Sequence, residues 1–333
     1  MREAMFYEKG ERGSVECSLC PHRCAIAPGR SGLCRVRKNV DGALYSTNYG
    51  RVSSLNMDPI EKKPLYHFYP GSPIFSVGSF GCNFRCKFCQ NWQIAQVSEV
   101  PTEFIPAEEL VKIAKSQPGN IGIAYTYNEP TIWYEYVIEC AELAKKEGLK
   151  NVLVTNGFIE LKPLEQLLPY VDAMNIDVKA YTEDFYKSIA AGSLSAVKRT
   201  VERALESCHV EITMLLIPGL NDEDEEIEAL SRWLSELSRD IPLHLTRYFP
   251  QYRMNRPPTP VDTLKRARDI ARRYLNYVYT GNVADEEGSS THCPRCGEVL
   301  IRRYGYRVEV GMTGRRCPKC GSEIAVVVSD GGE

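Results

Sequence analysis

The sequence GCNFRCKFCQN at residues 81–91 places three cysteines, Cys82, Cys86 and Cys89, on one short segment. The preceding run, IFSVGSF at residues 74–80, is apolar and short, which is typical of a buried strand. Structural zinc sites take four protein ligands, whereas three cysteines on a 4Fe–4S cluster leave one iron without a protein ligand. The segment therefore predicts a metal centre with an open position, directly after a strand.

Two other cysteines are candidates for a fourth ligand, which would make the site a structural zinc or a closed cluster. Cys140 falls on an apolar helical stripe with Trp133, Val137 and Ala144, so core packing explains it more simply. The sequence does not decide whether Cys208 is a fourth ligand.

Strand-like runs alternate with amphipathic stretches on the C-terminal side of this segment. We expect strands at residues 74–80, 121–127, 151–156, 173–178, 210–216, 243–249 and 277–280. Helical patterns lie between them, around residues 107–117, 131–147, 161–169, 195–207, 222–239 and 260–275. This alternation indicates right-handed βαβ units and an α/β fold, a partial (β/α)6 barrel rather than a small doubly wound sheet. The acidic run at residues 222–228 is better explained as the first turn of a helix than as a metal site.

The chain divides into three parts, and its composition excludes several classes of protein. We expect an N-terminal Cys-rich segment at 1–73, the barrel at 74–281, and a linker with a C-terminal four-Cys ribbon at 282–333. The 333 residues are 43% hydrophobic and 25% charged, which excludes disordered and fibrous classes. A net charge of −2 gives no global attraction to nucleic acid or to an anionic membrane.

The sequence predicts a soluble cytoplasmic protein with no membrane partner. Residues 1–10 lack the apolar region of a signal peptide. Residues 64–84 carry no formal charge, but their prolines and glycines exclude a continuous helix across a bilayer. In the cytoplasm, closely spaced cysteines indicate metal or redox chemistry rather than disulfides, and this chain has 13 cysteines.

The C-terminal cysteines form two C-x2-C pairs separated by 20 residues: Cys293, Cys296, Cys317 and Cys320. This spacing predicts a four-thiolate tetrahedral site, normally zinc in a ribbon, with a single iron ion as the alternative. Seven Lys or Arg and two Glu lie between the first and last of these cysteines. Such a basic module suits RNA or an acidic partner, although a solvated charged face explains it as well.

The N-terminal cysteines, Cys17, Cys20, Cys24 and Cys34, form another set of four. They suit a zinc site or an auxiliary 4Fe–4S cluster, and the spacing alone does not decide. We favour a closed structural site, because a short Gly-rich segment needs a metal to order itself. His22 is an alternative ligand to one cysteine, or an exposed loop histidine.

The C-x3-C-x2-C spacing after the first strand of an α/β chain, with Phe88 before the last cysteine, resembles the radical S-adenosylmethionine superfamily. The resemblance implies that S-adenosylmethionine chelates the open iron through its amino and carboxylate groups. It also implies reductive cleavage of this cofactor to a 5′-deoxyadenosyl radical, which abstracts hydrogen from a substrate. A reducing protein such as ferredoxin or flavodoxin would supply the electron.

The resemblance extends to the ends of the following strands. Tyr127, Asn128 and Glu129 stand where the family has Gly-Gly-Glu, so the Glu129 carboxylate would hold the cofactor ammonium, unless it is an ordinary helix-start glutamate. The segments at 155–157 and 177–179 resemble cofactor-contacting segments of glycyl-radical-enzyme activases. The implied cofactor-binding residues are Phe88, Tyr127, Asn128, Glu129, Thr155, Asn156, Asp177 and Lys179.

The whole chain resembles the radical enzyme of the AmmeMemoRadiSam system, a family related to pyruvate formate-lyase activases. The motifs are CSLCPHRC (17–24), AYTYNEPTIWYEY (124–136), LTRYFPQYRM (245–254), VYTGNV (278–283) and the terminal cysteines. The resemblance suggests Memo-type pathway partners and leaves the substrate, whether protein, RNA or another molecule, unidentified. The alternatives are a glycyl-radical-enzyme activase acting on a partner protein, and a non-catalytic metal- or RNA-binding scaffold.

Polar and apolar residues alternate along three of the predicted strands, which indicates a polar barrel interior. The polar positions are Asn175, Asp177 and Lys179, then Glu211 and Thr213, then His244, Thr246 and Tyr248. We expect Asp177 and Lys179 near the cofactor, and His244 and Thr246 on the substrate side. His244, Thr246 and Lys179 are the catalytic candidates, and a hydrogen-bonded core histidine is the alternative for His244.

Overall fold

An eight-stranded sheet forms the centre of the structure, a computed structural model that describes residues 1–328. Its strands are β1 (Ser54–Pro59), β2 (Pro73–Gly78), β3 (Gly122–Tyr125), β4 (Lys150–Thr155), β5 (Ala173–Asp177), β6 (His209–Leu216), β7 (Leu243–Arg247) and β8 (Val278–Gly281). The strands lie side by side in chain order. β2 to β8 are parallel, and β1 pairs antiparallel with β2 at one edge. The predicted α/β class and partial barrel are confirmed.

One principal helix follows each of the strands β2 to β7. These helices are α1 (Ala107–Ser116), α2 (Tyr134–Lys146), α3 (Leu161–Leu167), α4 (Leu194–Leu205), α5 (Asp224–Leu237) and α6 (Val261–Ala271). The run of acids at 222–228 overlaps the first turn of α5, where carboxylates complement the helix dipole. Shorter helical turns are Glu11–Gly13, Ile60–Lys62, Trp92–Ala95, Pro130–Trp133, Leu168–Tyr170, Glu183–Phe185, Tyr186–Ala190 and Glu286–Ser289.

Small antiparallel sheets flank the barrel at both ends of the chain. On the N-terminal side their strands are Arg2–Glu3, Tyr7–Lys9, Val15–Cys17, Ala25–Ile26, Arg37–Val40, Ala43–Ser46 and Arg51–Val52, the last paired with Glu103–Phe104. On the C-terminal side Thr291–His292, Val299–Tyr304 and Arg307–Val310 form a three-stranded sheet. In the described part of the chain, no helix is both long enough and apolar enough to span a membrane.

Residues 60–69, which we name the plug, cross the interior of the barrel near the amino ends of the parallel strands, its lower end. The side-chain amide of Asn175 on β5 donates to the Pro64 carbonyl at 2.8 Å. The backbone N–H groups of Tyr66 and His67 donate to the Glu211 carboxylate on β6, at 3.0 and 2.7 Å. The plug therefore closes the lower end and leaves the carboxyl ends of the strands, the upper end, for a site.

The N-terminal segment is thus part of the barrel's architecture. β1 lies before residue 73 and extends the sheet, so the sheet begins at Ser54 rather than at the predicted residue 74. Leu55 and Met57 alternate with Ser54, Asn56 and Asp58 in this strand, a period-2 pattern that the sequence analysis did not use. The division into 1–73, 74–281 and 282–333 stays a prediction about folding units.

The C-terminal module packs beneath the plug. The Val327 N–H donates to the His67 carbonyl at 2.7 Å, and the His67 Nδ1–H donates to the Ala325 carbonyl at 2.6 Å. The buried guanidinium of Arg303 donates to the Tyr66 carbonyl at 2.7 Å and lies 3.5 Å from Glu61. This module therefore lies at the lower end, across the barrel from the carboxyl ends of the strands.

Acid should weaken the contact between the plug and the C-terminal module through His67. Burial lowers the pKa of His67 to about 4, so the ring is neutral and its Nε2 accepts from the Tyr279 hydroxyl at 2.6 Å. The unfolded chain binds this proton near pH 6.5. The stabilisation is therefore complete above that pH and is lost as the pH falls toward 4, by at most about 3 kcal/mol.

The measurement is urea unfolding between pH 7 and pH 4, in the wild type and in His67→Gln. We expect the wild-type free energy of unfolding to fall more steeply with decreasing pH than that of the variant. Equal slopes would contradict this assignment of His67.

Candidate active site

The segment with three cysteines forms a loop at the upper end of the barrel, directly after β2. Cys86 is buried, whereas Cys82 and Cys89 are partly exposed. Backbone hydrogen bonds hold the loop to its surroundings: Arg85 N–H donates to the Ala190 carbonyl at 2.7 Å. We name residues 81–91 the Cys loop. Its position at the carboxyl ends of parallel strands is where α/β barrels carry their active sites.

Glycine is required at the start of this loop. Gly81 has a φ of 84°, and a Cβ atom there would lie 2.7 Å from both the Cys34 carbonyl oxygen and a Val36 methyl group. The N-terminal segment therefore packs directly on the backbone beside Cys82. Any larger residue at position 81 would push the N-terminal segment away from the Cys loop.

Polar groups surround the three sulfur atoms. The Phe84 N–H donates to Cys82 Sγ at 3.3 Å, and the Asn156 side-chain amide lies 3.8 Å from the same sulfur. Lys179 pairs with Asp177 at 2.8 Å, and its positive charge favours the thiolates of Cys86 and Cys89. The structure thus brings Asn156, Asp177 and Lys179, from the ends of two further strands, close to the cysteines.

The protein alone keeps these cysteines protonated. Burial raises the pKa of Cys86 to about 12, although the Lys179 ammonium opposes the shift. Burial also raises the pKa values of Cys82 and Cys89 above their usual value. Because metal binding requires thiolates, a positively charged centre must displace these protons. The donor set of three thiols, two N–H groups and one ammonium fits an iron–sulfur cluster.

Glu129 is buried and receives several hydrogen bonds. Oε1 accepts from the Thr131 N–H, the Thr131 hydroxyl and the Thr155 hydroxyl, at 3.0, 2.8 and 2.7 Å. Oε2 accepts from the Asn156 N–H at 2.8 Å. Glu129 thus caps the turn Pro130–Trp133, as the helix-start alternative predicted, while Oε2 retains acceptor capacity. Its contact with a cofactor ammonium stays a prediction.

The side chains of Tyr127 and Asn128 bind other parts of the protein. The Tyr127 hydroxyl donates to Asp58 at 2.7 Å, and the Asn128 amide bonds both Ser79 N–H and the Gly81 carbonyl at 3.0 Å. Both side chains therefore connect β3 to β1 and to the Cys loop. The side chains are therefore engaged, and the Tyr127 carbonyl also accepts from the Asn91 side chain at 2.7 Å. The predicted contact of these two residues with a cofactor stays a prediction.

Phe88 packs in the core of the Cys loop. It is 4% exposed, and its ring centre lies 6.0 Å from that of Phe185. This packing supports the loop from below, and a contact between Phe88 and the cofactor stays a prediction.

The structure does not agree with the predicted placement of His244 on the substrate side. His244 does point into the barrel, but near the amino end of β7, where its Nε2 bonds the Glu211 carboxylate at 2.6 Å. Its ring packs edge-on against Tyr66 of the plug at 4.7 Å, and it is 3% exposed. It is the hydrogen-bonded core histidine of the alternative interpretation. Thr246, two residues nearer the upper end, is partly exposed and stays a candidate.

Sequence reasoning did not predict Asn83 as a residue of the site, nor the contact of His22 with the Cys loop. The Asn83 side chain accepts from Asn156 and donates to the Phe158 carbonyl, both at 2.8 Å. His22 Nε2 bonds the Asn83 carbonyl at 2.8 Å. The position of Asn83 inside the cysteine motif is the one sequence feature that could have identified it. No local pattern connects His22 to this loop.

The four C-terminal cysteines have the geometry of a single tetrahedral ion. Their sulfur atoms all lie within 4.8 Å of one another, and Cys293–Cys320 and Cys296–Cys317 are 3.6 Å apart. These distances exceed a disulfide bond of about 2 Å. They match the edge of about 3.8 Å that follows from zinc–sulfur bonds of about 2.3 Å. The four-Cys module is confirmed, and zinc as its metal stays a prediction.

The positive charge of this module is largely neutralised within the protein. Ion pairs with glutamates involve five of its seven cations: Arg302, Arg303, Arg307, Arg315 and Lys319. This arrangement favours a charged structural face over an RNA-binding surface.

Comparisons with known proteins identify the family of the chain. Residues 76–230 match the family model of the radical SAM superfamily. The chain is 43% identical over 337 residues to an uncharacterised protein of Methanocaldococcus jannaschii, covering 98% of this chain and 100% of the relative. A putative glycyl-radical enzyme activating enzyme of that organism is 30% identical over 210 residues, 60% of this chain and 77% of the relative. The pyruvate formate-lyase 1-activating enzyme of Escherichia coli is 23% identical over 220 residues, 60% and 88% of the two chains.

A partial parallel barrel with three cysteines after its first parallel strand defines a class of iron–sulfur enzymes. The chain belongs to the radical SAM superfamily and is related to the pyruvate formate-lyase activases. The predicted superfamily and enzyme class are therefore confirmed. The closer resemblance to the AmmeMemoRadiSam enzymes, with its Memo-type partners, stays a prediction.

The C-terminal module should hold about one zinc ion per chain. We expect the double variant Cys296→Ala and Cys320→Ala to lose that zinc and keep its iron, measured by elemental analysis of anaerobically purified protein. Point variants are preferable to truncation, because Arg303 and Ile301 are buried. Cys208→Ala, which alters a cysteine outside the three groups, is the matched control. Loss of iron from the double variant instead of zinc would contradict the assignment.

Proposed function

We propose that Cys82, Cys86 and Cys89 bind a 4Fe–4S cluster and that S-adenosylmethionine binds the iron that no cysteine occupies. When bound, the cluster and S-adenosylmethionine supply the reductive cleavage that generates a radical able to take a hydrogen atom from a substrate. The substrate is unidentified. A reducing protein of the ferredoxin or flavodoxin class would supply the electron.

The observation that carries this proposal is that neither Cys140 nor Cys208 lies where it could be a fourth ligand to the Cys loop. Cys140 is fully buried within α2, as predicted from its apolar stripe. Cys208 precedes β6 at the lower end, where its sulfur contacts the Ala204 carbonyl at 3.5 Å. Both cysteines are therefore unsuited to complete the Cys loop at the upper end. Three ligands on four irons leave one iron for the cofactor.

The residues around the Cys loop support three tasks. Lys179, paired with Asp177, offsets the negative charge of the thiolates. Asn156 and the Phe84 N–H orient the Cys82 sulfur through weak hydrogen bonds. Glu129 offers one acceptor to an ammonium, while its other oxygen is held rigid by two threonines.

A second candidate function is the activation of a glycyl-radical enzyme. This candidate is supported by the similarity to the putative glycyl-radical enzyme activating enzyme of M. jannaschii, of which this chain covers 77%. In that function the hydrogen atom would come from a backbone glycine of a partner protein. A glycine-centred radical in a partner, detected by electron paramagnetic resonance, would distinguish this activity from action on a small molecule or RNA.

Removing the three thiols of the Cys loop should abolish cofactor cleavage. We expect the triple variant Cys82→Ala, Cys86→Ala and Cys89→Ala to form no 5′-deoxyadenosine after anaerobic reconstitution with iron, sulfide, S-adenosylmethionine and dithionite. Liquid chromatography measures the product, and Cys208→Ala is the control with an intact loop. Undiminished product from the triple variant would refute the proposed function. A wild type that binds a cluster without cleaving the cofactor would favour a non-catalytic scaffold.

A further inference from the structure

We propose that Cys17, Cys20, Cys24 and Cys34 bind a second 4Fe–4S cluster, not zinc, and that this cluster relays electrons to the cluster at the Cys loop. The identity of the N-terminal centre is independent of the proposed function. Its relay task rests on that function.

The four N-terminal cysteines converge on one cavity. All four line it, together with Leu19, His22, Ile26, Gly32, Arg37 and Ile132. Cys17, Cys20 and Cys34 are buried, and Cys24 is partly exposed. Four thiols that line one cavity make a ligand set for one centre.

The separation of the sulfur atoms distinguishes a cluster from a single ion. Within residues 1–328, the C-terminal four cysteines form the one cysteine group whose sulfur atoms approach within 4.8 Å of one another. The N-terminal four are more widely spaced, as are the three of the Cys loop. Tetrahedral zinc requires sulfur atoms about 3.8 Å apart. A cubane of four irons places each sulfur on a different iron, so its ligands stand farther apart.

A buried donor on the cavity wall is consistent with a sulfur-rich centre. Arg37 is 1% exposed, and its terminal nitrogens donate to the Glu135 carboxylate at 3.1 and 2.8 Å. Its Nε–H has no hydrogen-bond partner among the described residues. A buried donor left unpaired costs free energy, and acceptor sulfides in the cavity would satisfy it. Glu135 neutralises the guanidinium, so Arg37 is available as a hydrogen-bond donor rather than as a free charge.

His22 lines the same cavity and is held in place by the Cys loop. The His22 Nε2 atom bonds the Asn83 carbonyl at 2.8 Å, and its ring packs edge-on against Phe158 at 4.9 Å. Gly32 also lines the cavity, and a Cβ atom there would be in van der Waals contact with the Cys24 sulfur at 3.5 Å. The four cysteines are the ligands in our proposal, and His22 connects the cavity wall to the Cys loop through Asn83.

The N-terminal site contacts the Cys loop directly. The Cys34 carbonyl packs against Gly81, next to Cys82, and His22 bonds Asn83 on the other side of that cysteine. With consecutive Cα atoms about 3.8 Å apart, centres bound at these positions lie on the order of 10 Å from each other. This short path lets an electron pass between them without a mobile carrier.

The relay conserves electrons at each step. A one-electron donor of the ferredoxin or flavodoxin class loses one electron, and the N-terminal cluster gains it. That cluster is then reoxidised as the cluster at the Cys loop is reduced, so the N-terminal centre returns to its starting state.

Metal content tests the identity of the centre in the full-length protein. We expect about eight iron ions and one zinc ion per reconstituted wild-type chain, and about four iron ions in Cys20→Ala/Cys34→Ala with the zinc retained. Loss of zinc with unchanged iron would overturn the proposal. The Cys-loop triple variant should also retain about four iron ions. If the wild type failed to cleave the cofactor, the proposed function would be wrong. If the triple variant nevertheless retained about four iron ions, the proposed N-terminal cluster would still be supported.

Spectroscopy of the wild-type protein tests the proposal even if the variant does not fold. Electron paramagnetic resonance of the reduced wild type should show two reduced clusters, of which S-adenosylmethionine perturbs one. A single cluster would overturn the proposal. For the relay, Cys20→Ala/Cys34→Ala should slow reduction of the remaining cluster by flavodoxin at least tenfold and leave reduction by dithionite unchanged. Equal rates with flavodoxin would refute the relay.

Discussion

The buried carboxylate of Glu211 is the interaction on which the lower half of the molecule depends. It accepts four hydrogen bonds: from His209 on its own strand, from His244 on β7, and from the backbone N–H groups of Tyr66 and His67. Burial alone would raise the pKa of this carboxyl, but the hydrogen bonds from His209 and His244 outweigh burial and hold it well below its usual value. A buried charge persists only when it is paired in this way. Two strands and the plug are thereby held together.

The two ends of the barrel consequently have different tasks. The lower end is closed by the plug and by the C-terminal module, whose cysteines lie across the barrel from the Cys loop. The upper end holds the Cys loop, Glu129, Asn156 and Lys179. Polar side chains fill both ends of the interior, but only those at the upper end are close to the cysteines. Because of this division, a metal ion held by the C-terminal cysteines would stabilise the lower end of the barrel and would lie away from the Cys loop.

The sequence predicts the barrel well, because strand and helix periodicities repeat six times and reinforce one another. The alternation of polar and apolar residues also predicts which side chains of β5 to β7 point into the barrel. In agreement, the Thr213 hydroxyl donates to the Asn175 side chain inside the barrel. Periodicity gives the face of a residue but not its surroundings, so it could not show that the plug covers His244. The plug comes from residues about 180 positions away along the chain, beyond the range of any local pattern. For the same reason the contacts of Asn83 with His22 and Asn156 were not predictable.

The pairing of Phe68 with Val327 ties the first quarter of the chain to its end. A ribosome releases the cysteines at 17–34 and 82–89 long before it has made the strands and the module that enclose the plug. Contacts this distant in sequence form late in folding, since their loop-closure entropy must be met first. Both sets of cysteines therefore emerge from translation without their final surroundings. The lower end of the barrel therefore closes only once nearly the whole chain, Val327 included, has left the ribosome.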